Sequence, residues 1–175
     1  MHLRFLLFPS LILTLTSCAE LTDLHCANIN WYNFGYQTGL DGKPASVITG
    51  EAGICRASAT PPREDLALQG YRVGLENYCT PTNAFRIGQR GEELSSFCMP
   101  EKLSLMRQPY QSGLQDLRLS EQIKGLEAER DRLQDQRDRA DTDEDRRAEI
   151  RRDIRALDRR IDRLGDRRLL LAFIN

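Results

Sequence analysis

Three times between positions 36 and 114 the chain reads Tyr-x-x-Gly-Leu: Tyr36-Gln37-Thr38-Gly39-Leu40, Tyr71-Arg72-Val73-Gly74-Leu75 and Tyr110-Gln111-Ser112-Gly113-Leu114. A cysteine precedes each copy: Cys26, Cys55 and Cys98. The recurrence places each copy in one helical unit. Glycine inside a helix costs about 1 kcal/mol relative to alanine, so its repeated use needs a compensating gain. Gly35 and Gly39 are four residues apart, as are Gly70 and Gly74. Each pair strips one helix face bare, flanked by Trp31, Tyr32 and Tyr36 or by Tyr71 and Tyr78. Aromatics at helical spacing usually form core, so these faces are expected to bring helix backbones into contact. The competing reading is an aromatic-lined groove for a glycan or small molecule.

The second unit has the clearest expected limits. Thr60 reads as its N-cap, Pro61 and Pro62 as its first turn, and Glu64 and Asp65 sit near the positive end of the helix dipole. Pro81 is expected to end it just after Cys79. From Thr80 to Gly91 the sequence reads as turn chemistry, with Ala84 to Ile87 as a brief extended piece. Gly88-x-x-Gly91 lacks the Lys-Ser/Thr and the preceding strand of a phosphate-binding loop.

Upstream, Leu15-Thr16-Ser17-Cys18 has the form of a lipoprotein cleavage and lipidation box. It follows a short segment with one firm positive charge, Arg4, and an apolar run from Phe5 to Leu15. That run is too short for a transmembrane helix, which needs roughly 20 apolar residues. The expectation is removal of residues 1–17 as a signal peptide and diacylation of Cys18. Ala19 then follows the lipidated residue; in lipoproteins of this type Asp at that place often retains the protein in the inner membrane, so the resemblance implies the outer membrane, with the folded part on its periplasmic face.

With Cys18 assigned to lipid, Cys26, Cys55, Cys79 and Cys98 remain. An even number in an exported chain argues for two disulfides. Of the three possible connectivities, Cys26–Cys55 with Cys79–Cys98 closes two local loops and is preferred. No pair has CxxC spacing and the chain after residue 17 holds one histidine, His25, which disfavours a metal or thiol redox site. The carboxylates Asp41, Glu51, Glu64, Asp65, Glu76, Glu92 and Glu93 show no spacing that unites an acid–base pair. No catalytic, cofactor-binding or metal-binding residue is assigned, and an enzyme is not expected.

These positions also carry a resemblance. Cys26 followed by Trp31-Tyr32-x-x-Gly35-Tyr36, then Tyr71-x-x-Gly74-Leu75-x-x-Tyr78-Cys79, then Asn83, Phe85, Gly88, Gly91 and Cys98 before Tyr110-x-x-Gly113, resembles the proteobacterial lipoproteins catalogued as domain of unknown function 2799. The resemblance covers residues 26–115 and departs at Asn30, where an acidic residue is usual. It implies an envelope location and disulfides and carries no activity.

From residue 115 to 168 the composition changes to 16 basic and 16 acidic residues without proline. A balanced mix argues for a solvated helical surface and against nucleic-acid binding. Leu119, Ile123, Leu126 and Leu133, then Ile150, Ile154, Leu157, Ile161, Leu164 and Leu171, recur at coiled-coil spacing in two runs that are out of phase. In an antiparallel pair, facing residues have a nearly constant sum of position numbers. Leu133 with Ile150, Leu126 with Leu157 and Leu119 with Leu164 each give 283, and Ile123 with Ile161 gives 284. The turn centre then falls at 141–142, within the acidic cluster Asp141-Thr142-Asp143-Glu144-Asp145. The fold expected is mainly α: a disulfide-bonded helical head over 18–115, then an antiparallel helical hairpin over 116–175, with one long continuous helix in a dimeric coiled coil as the alternative for the tail. Its apolar end, Leu169 to Ile174, is expected to dock on the head, with exposure as a protein anchor as the alternative. The function expected is that of an envelope lipoprotein, bound to the membrane through Cys18 and to a protein partner through the coiled-coil tail. A ligand-binding module is the runner-up and a periplasmic hydrolase a weaker third.

Overall fold

The computed structural model describes residues 16–139 and 143–174, with side chains described over 21–139 and 143–173. Residues 1–15, which include most of the expected signal peptide, and the expected turn at 141–142 lie outside the described residues. Among those described, the chain is helical, with no strand: α1 (Thr16–Asn28), α2 (Trp31–Leu40), α3 (Ser46–Cys55), α4 (Glu64–Tyr78), α5 (Pro81–Arg90), α6 (Pro100–Asp138) and α7 (Glu144–Ile174). Two compact units part between Tyr78 and Cys79. The boundary expected at 115–116 falls in the middle of α6, which runs through it unbroken.

In the first unit α2 packs along α4. The contact is backbone on backbone: a methyl group added at Gly74 would overlap the Tyr36 carbonyl, and one at Gly35 would overlap the Ala67 carbonyl. Side chains fill the flanks. Trp31 is buried, edge-on to Phe34 at 6.1 Å between ring centroids. It joins Ile48, Ala52, Ala67 and Tyr71 around the Cys26–Cys55 disulfide.

The second unit repeats this plan with α5 and α6. A methyl at Gly88 would overlap the Tyr110 carbonyl, and one at Gly113 the Phe85 carbonyl. Each short helix leads to a glycine in the left-handed region three residues past its contact glycine: Gly42 at φ 66° and Gly91 at φ 69°. In each unit the long-helix tyrosine donates from its hydroxyl to the carbonyl just beyond that turn. Tyr71 bonds Lys43 and Tyr110 bonds Glu92, both at 3.0 Å. Each disulfide joins the approach to the short helix with the approach to the long one, Cys26–Cys55 and Cys79–Cys98.

The motif therefore occurs four times. Phe85-Arg86-Ile87-Gly88-Gln89 is the fourth copy, with Phe in place of Tyr and Gln in place of Leu, and Cys79 is the cysteine that precedes it. Residues 80–91 are accordingly a helix and its caps, which corrects the expected turns and extended piece. Thr80 is the N-cap and its hydroxyl accepts from the Asn83 N–H at 3.3 Å. Pro81 stands at the first helical position, where its missing N–H costs nothing. At α4 the helix starts at Glu64, and Thr60, Pro61 and Pro62 lie outside it. A residue that precedes proline is disfavoured in the helical region, which applies to both Thr60 and Pro61.

Helix α7 packs against α6. Every apolar residue expected on the seam is covered at least in part; Leu119, Ile150 and Ile154 are buried. The expected docking of the C-terminal end differs: Leu169, Leu170 and Phe173 are 60%, 62% and 85% exposed. The covered stripe of α7 passes through Leu164, Arg168 and Leu171, and consecutive helical residues about 100° apart cannot all share it.

The glycine contacts make opposite predictions for one substitution. Gly113→Ala places a Cβ against the α5 backbone and is expected to destabilise the chain by about 1–3 kcal/mol, as overpacking does. Gly125→Ala, on the same helix with open space around it, is expected to stabilise by about 1 kcal/mol. Thermal unfolding followed by circular dichroism measures both, and equal effects would contradict the packing.

Candidate functional site

Three of the four aromatics of the alternative groove reading are spent on packing. Trp31, Tyr71 and Tyr78 are buried, and Tyr32 alone of the four is exposed. Burial raises the Tyr71 phenol above its ordinary range, and its hydroxyl is committed to Lys43. Asn30, the departure from the expected family pattern, caps α2: its side chain accepts from the Asn33 N–H at 3.0 Å. An aspartate would accept the same bond, so a structural role suffices for either residue.

Several of the scattered carboxylates pair with nearby bases. Asp41 meets Lys43 at 2.8 Å, Asp65 meets Arg63 at 3.3 Å and Glu92 meets Arg90 at 2.6 Å. Hydrogen bonds from Arg63 and Arg90 hold Asp65 and Glu92 below the usual carboxylate range. Glu51 lies 2.5 Å from His25 Nε2 and bridges α3 to α1 beside the Cys26–Cys55 bond. Among the described residues no group of three or more His, Cys, Asp or Glu is placed to hold a metal ion. Cys18 lies in the first turn of α1, and its side chain is outside the described set.

The most organised polar group is one that the sequence reading passed over. Asp116 on α6 is buried, with its side chain 6% exposed. It accepts from Arg168 Nε at 2.8 Å and Nη2 at 3.1 Å on α7, and from Gln89 Nε2 at 3.0 Å on α5. The Arg168 hydrogen bonds hold the carboxyl below the usual range against the opposing effect of burial, and Gln89 adds to the lowering. An open groove of about 620 Å³ runs beside the triad, lined also by Ile123, Ile161, Gly165, Leu169 and Ala172. A carboxylate held ionised by a guanidinium and an amide is poorly matched to general-base work near neutral pH. Its chemistry is that of a tie among three helices.

The signal for this tie was present. Asp116 lies three residues before Leu119, and Arg168 lies between Leu164 and Leu171. Both fall on the stripe of apolar positions, and their numbers give 284, as for Ile123 with Ile161 and one more than the other three pairs. Two opposite charges in register on an apolar seam mark a buried ion pair.

Residues 30–115 match the model of a family described as protein of unknown function, DUF2799. This part of the chain belongs to that family. The DUF2799 segment starts at the α2 N-cap and stops one residue before Asp116, so it contains both helix pairs and leaves out α7 and most of the α6 seam. No curated protein and no solved structure matches the chain.

The Asp116 tie has a signed pH dependence. Its folded pKa lies below the unfolded one, so its contribution is complete above the unfolded carboxylate range, about pH 4, and declines as pH falls through the folded value. Asp116→Asn is expected to lose about 2 kcal/mol at pH 7, the order of hydrogen bonds to a charged group. Its deficit should narrow as pH is taken below about 4 in urea unfolding experiments. A constant deficit across pH would show that the charge is not what matters.

Proposed function

We propose that the chain is an outer-membrane lipoprotein, diacylated at Cys18 and facing the periplasm, with a non-enzymatic role in protein contacts within the envelope. The observation that carries this reading is the division between spent and unspent apolar surface. The glycine and aromatic faces of both helix pairs are consumed inside the fold. Leu169, Leu170 and Phe173 instead form an exposed stripe at the end of α7, since residues three and four apart are neighbours on a helix. A contiguous apolar patch marks a contact site. A ligand module built on Trp31, Tyr32, Tyr71 and Tyr78 draws no support from aromatics of which three are buried.

In this reading α6 and α7 form an antiparallel coiled-coil hairpin that presents the stripe. The Asp116–Arg168 pair supports it at one end. At the other, Arg147 donates to the Arg139 carbonyl at 3.4 Å. Balanced charge along both helices keeps the surface solvated, and long arginine stems cover the seam. Arg130, for example, is largely covered and bonds Asp131 at 2.9 Å.

Two measurements test the two parts separately. Metabolic labelling with a palmitate analogue is expected to mark the wild type and leave Cys18→Ala unlabelled and unprocessed; a labelled Cys18→Ala would overturn the anchor. Leu126→Cys with Leu157→Cys is expected to give an internal disulfide and a faster-migrating monomer on a non-reducing gel, because facing seam positions come within disulfide reach. A covalent dimer from Leu126→Cys alone, with no internal link in the double variant, would overturn the hairpin.

A further inference from the structure

The first unit carries a second unspent apolar surface, close in sequence to Cys18. Leu21 and Leu24 on α1 are 67% and 63% exposed, and Ile54 on α3 is 59% exposed, with Val47 also open. Helical spacing puts Leu21 on the flank of His25, and Val47 and Ile54 on the flank of Glu51. His25 touches Glu51, so the two apolar flanks border one contact. The Cys26–Cys55 bond holds the same two helices together. Between Lys43 and Arg56 the chain has one charge, Glu51, and that carboxylate is engaged by His25. Asp23, between the two leucines in sequence, accepts from the Ala59 N–H at 3.0 Å.

We propose that this α1–α3 face lies on the lipid surface, a proposal that rests on the acylation of Cys18 inferred above. Distance selects the occupant. A helix rises about 1.5 Å per residue, so Leu21 and Leu24 stand at most about 5 and 9 Å along α1 from the acylated position, and Cys26 about 12 Å. An apolar helix face seats about 5–10 Å into the boundary between headgroups and acyl chains. The leucines therefore stay within reach of the boundary whatever the tilt of α1, and the disulfide carries α3 with them. Two basic residues, Lys43 and Arg56, flank the α3 stretch, whose single charge is Glu51. The face adds to the acyl chains and fixes how the first unit meets the membrane.

The test uses the full acylated chain in vesicles of phosphatidylethanolamine and phosphatidylglycerol. A dansylalanine is introduced singly at position 24, 54 or 73; Val73 is partly exposed and lies about 200° around α4 from buried Tyr71. Brominated lipid is expected to quench positions 24 and 54 several-fold more than position 73, with a blue-shifted emission at the first two. Vesicle flotation with equal, weak quenching at all three positions overturns the lipid face and leaves the anchor standing. Failure of the wild type to float overturns the anchor and this proposal with it. A blue shift that rises with protein concentration and ignores brominated lipid assigns the face to a second copy of the chain and overturns the lipid contact.

Discussion

Close approach of two helix backbones at glycine is the contact on which the rest of the structure depends. At Gly74 the α4 backbone lies against the α2 carbonyl of Tyr36, and at Gly113 the α6 backbone lies against the α5 carbonyl of Phe85. With side chains removed from the line of contact, each long-helix tyrosine reaches past the short helix to the carbonyl behind its left-handed turn. That hydrogen bond fixes the turn, and the turn brings the chain to the second cysteine of the pair. Helices this short are marginal alone, and a small core needs a covalent staple. Closure of loops with separations of 29 and 19 residues supplies it, worth about 3 kcal/mol each on the chain-entropy account.

The helical class and the presence of two disulfides were legible because each rests on a short-range regularity: a four-residue glycine spacing and an even cysteine count. The pairing was a preference among three connectivities, since a count says nothing of which cysteines meet. The fourth motif was not legible, because Phe85 and Gln89 replace the Tyr and Leu that made the others visible. Cys79, a cysteine with no motif assigned to it, was the clue. Thr80-Pro81 was misread because the same pair of residues that stops one helix also caps the next, and only the Asn83 N–H decides between them. Thr60 with its two prolines was the converse error, a cap pattern in which the second proline forbids the first from being helical.

Asp116 was missed for a different reason. A search for chemistry asks which charged residues cluster, and Asp116 and Arg168 are 52 positions apart. Seen as members of the seam, they become the place where an otherwise apolar stripe has direction. An apolar seam tolerates a slip of one turn with modest loss, because leucine and isoleucine substitute for one another. A buried carboxylate facing a guanidinium does not, since a slip leaves both charges without a partner at a cost of several kcal/mol. Gln89 extends the same demand to α5, so the register of α7 is tied to the helix pair that the glycines assemble.

The sequential, non-overlapping order of the disulfides bears on how the chain reaches this state. Both bonds join cysteines that are consecutive after residue 18. Under the proposed export, the chain enters an oxidising compartment from its N-terminus and presents Cys26 and Cys55 before Cys79 appears, and Cys79 has only Cys98 left to meet. Oxidation in order of arrival therefore yields the native pairing without a shuffling enzyme, and the first helix pair can close while the second is still in transit. The tandem arrangement of one small plan, rather than a single larger core, lets a covalent error in one half be avoided by the timing of the other.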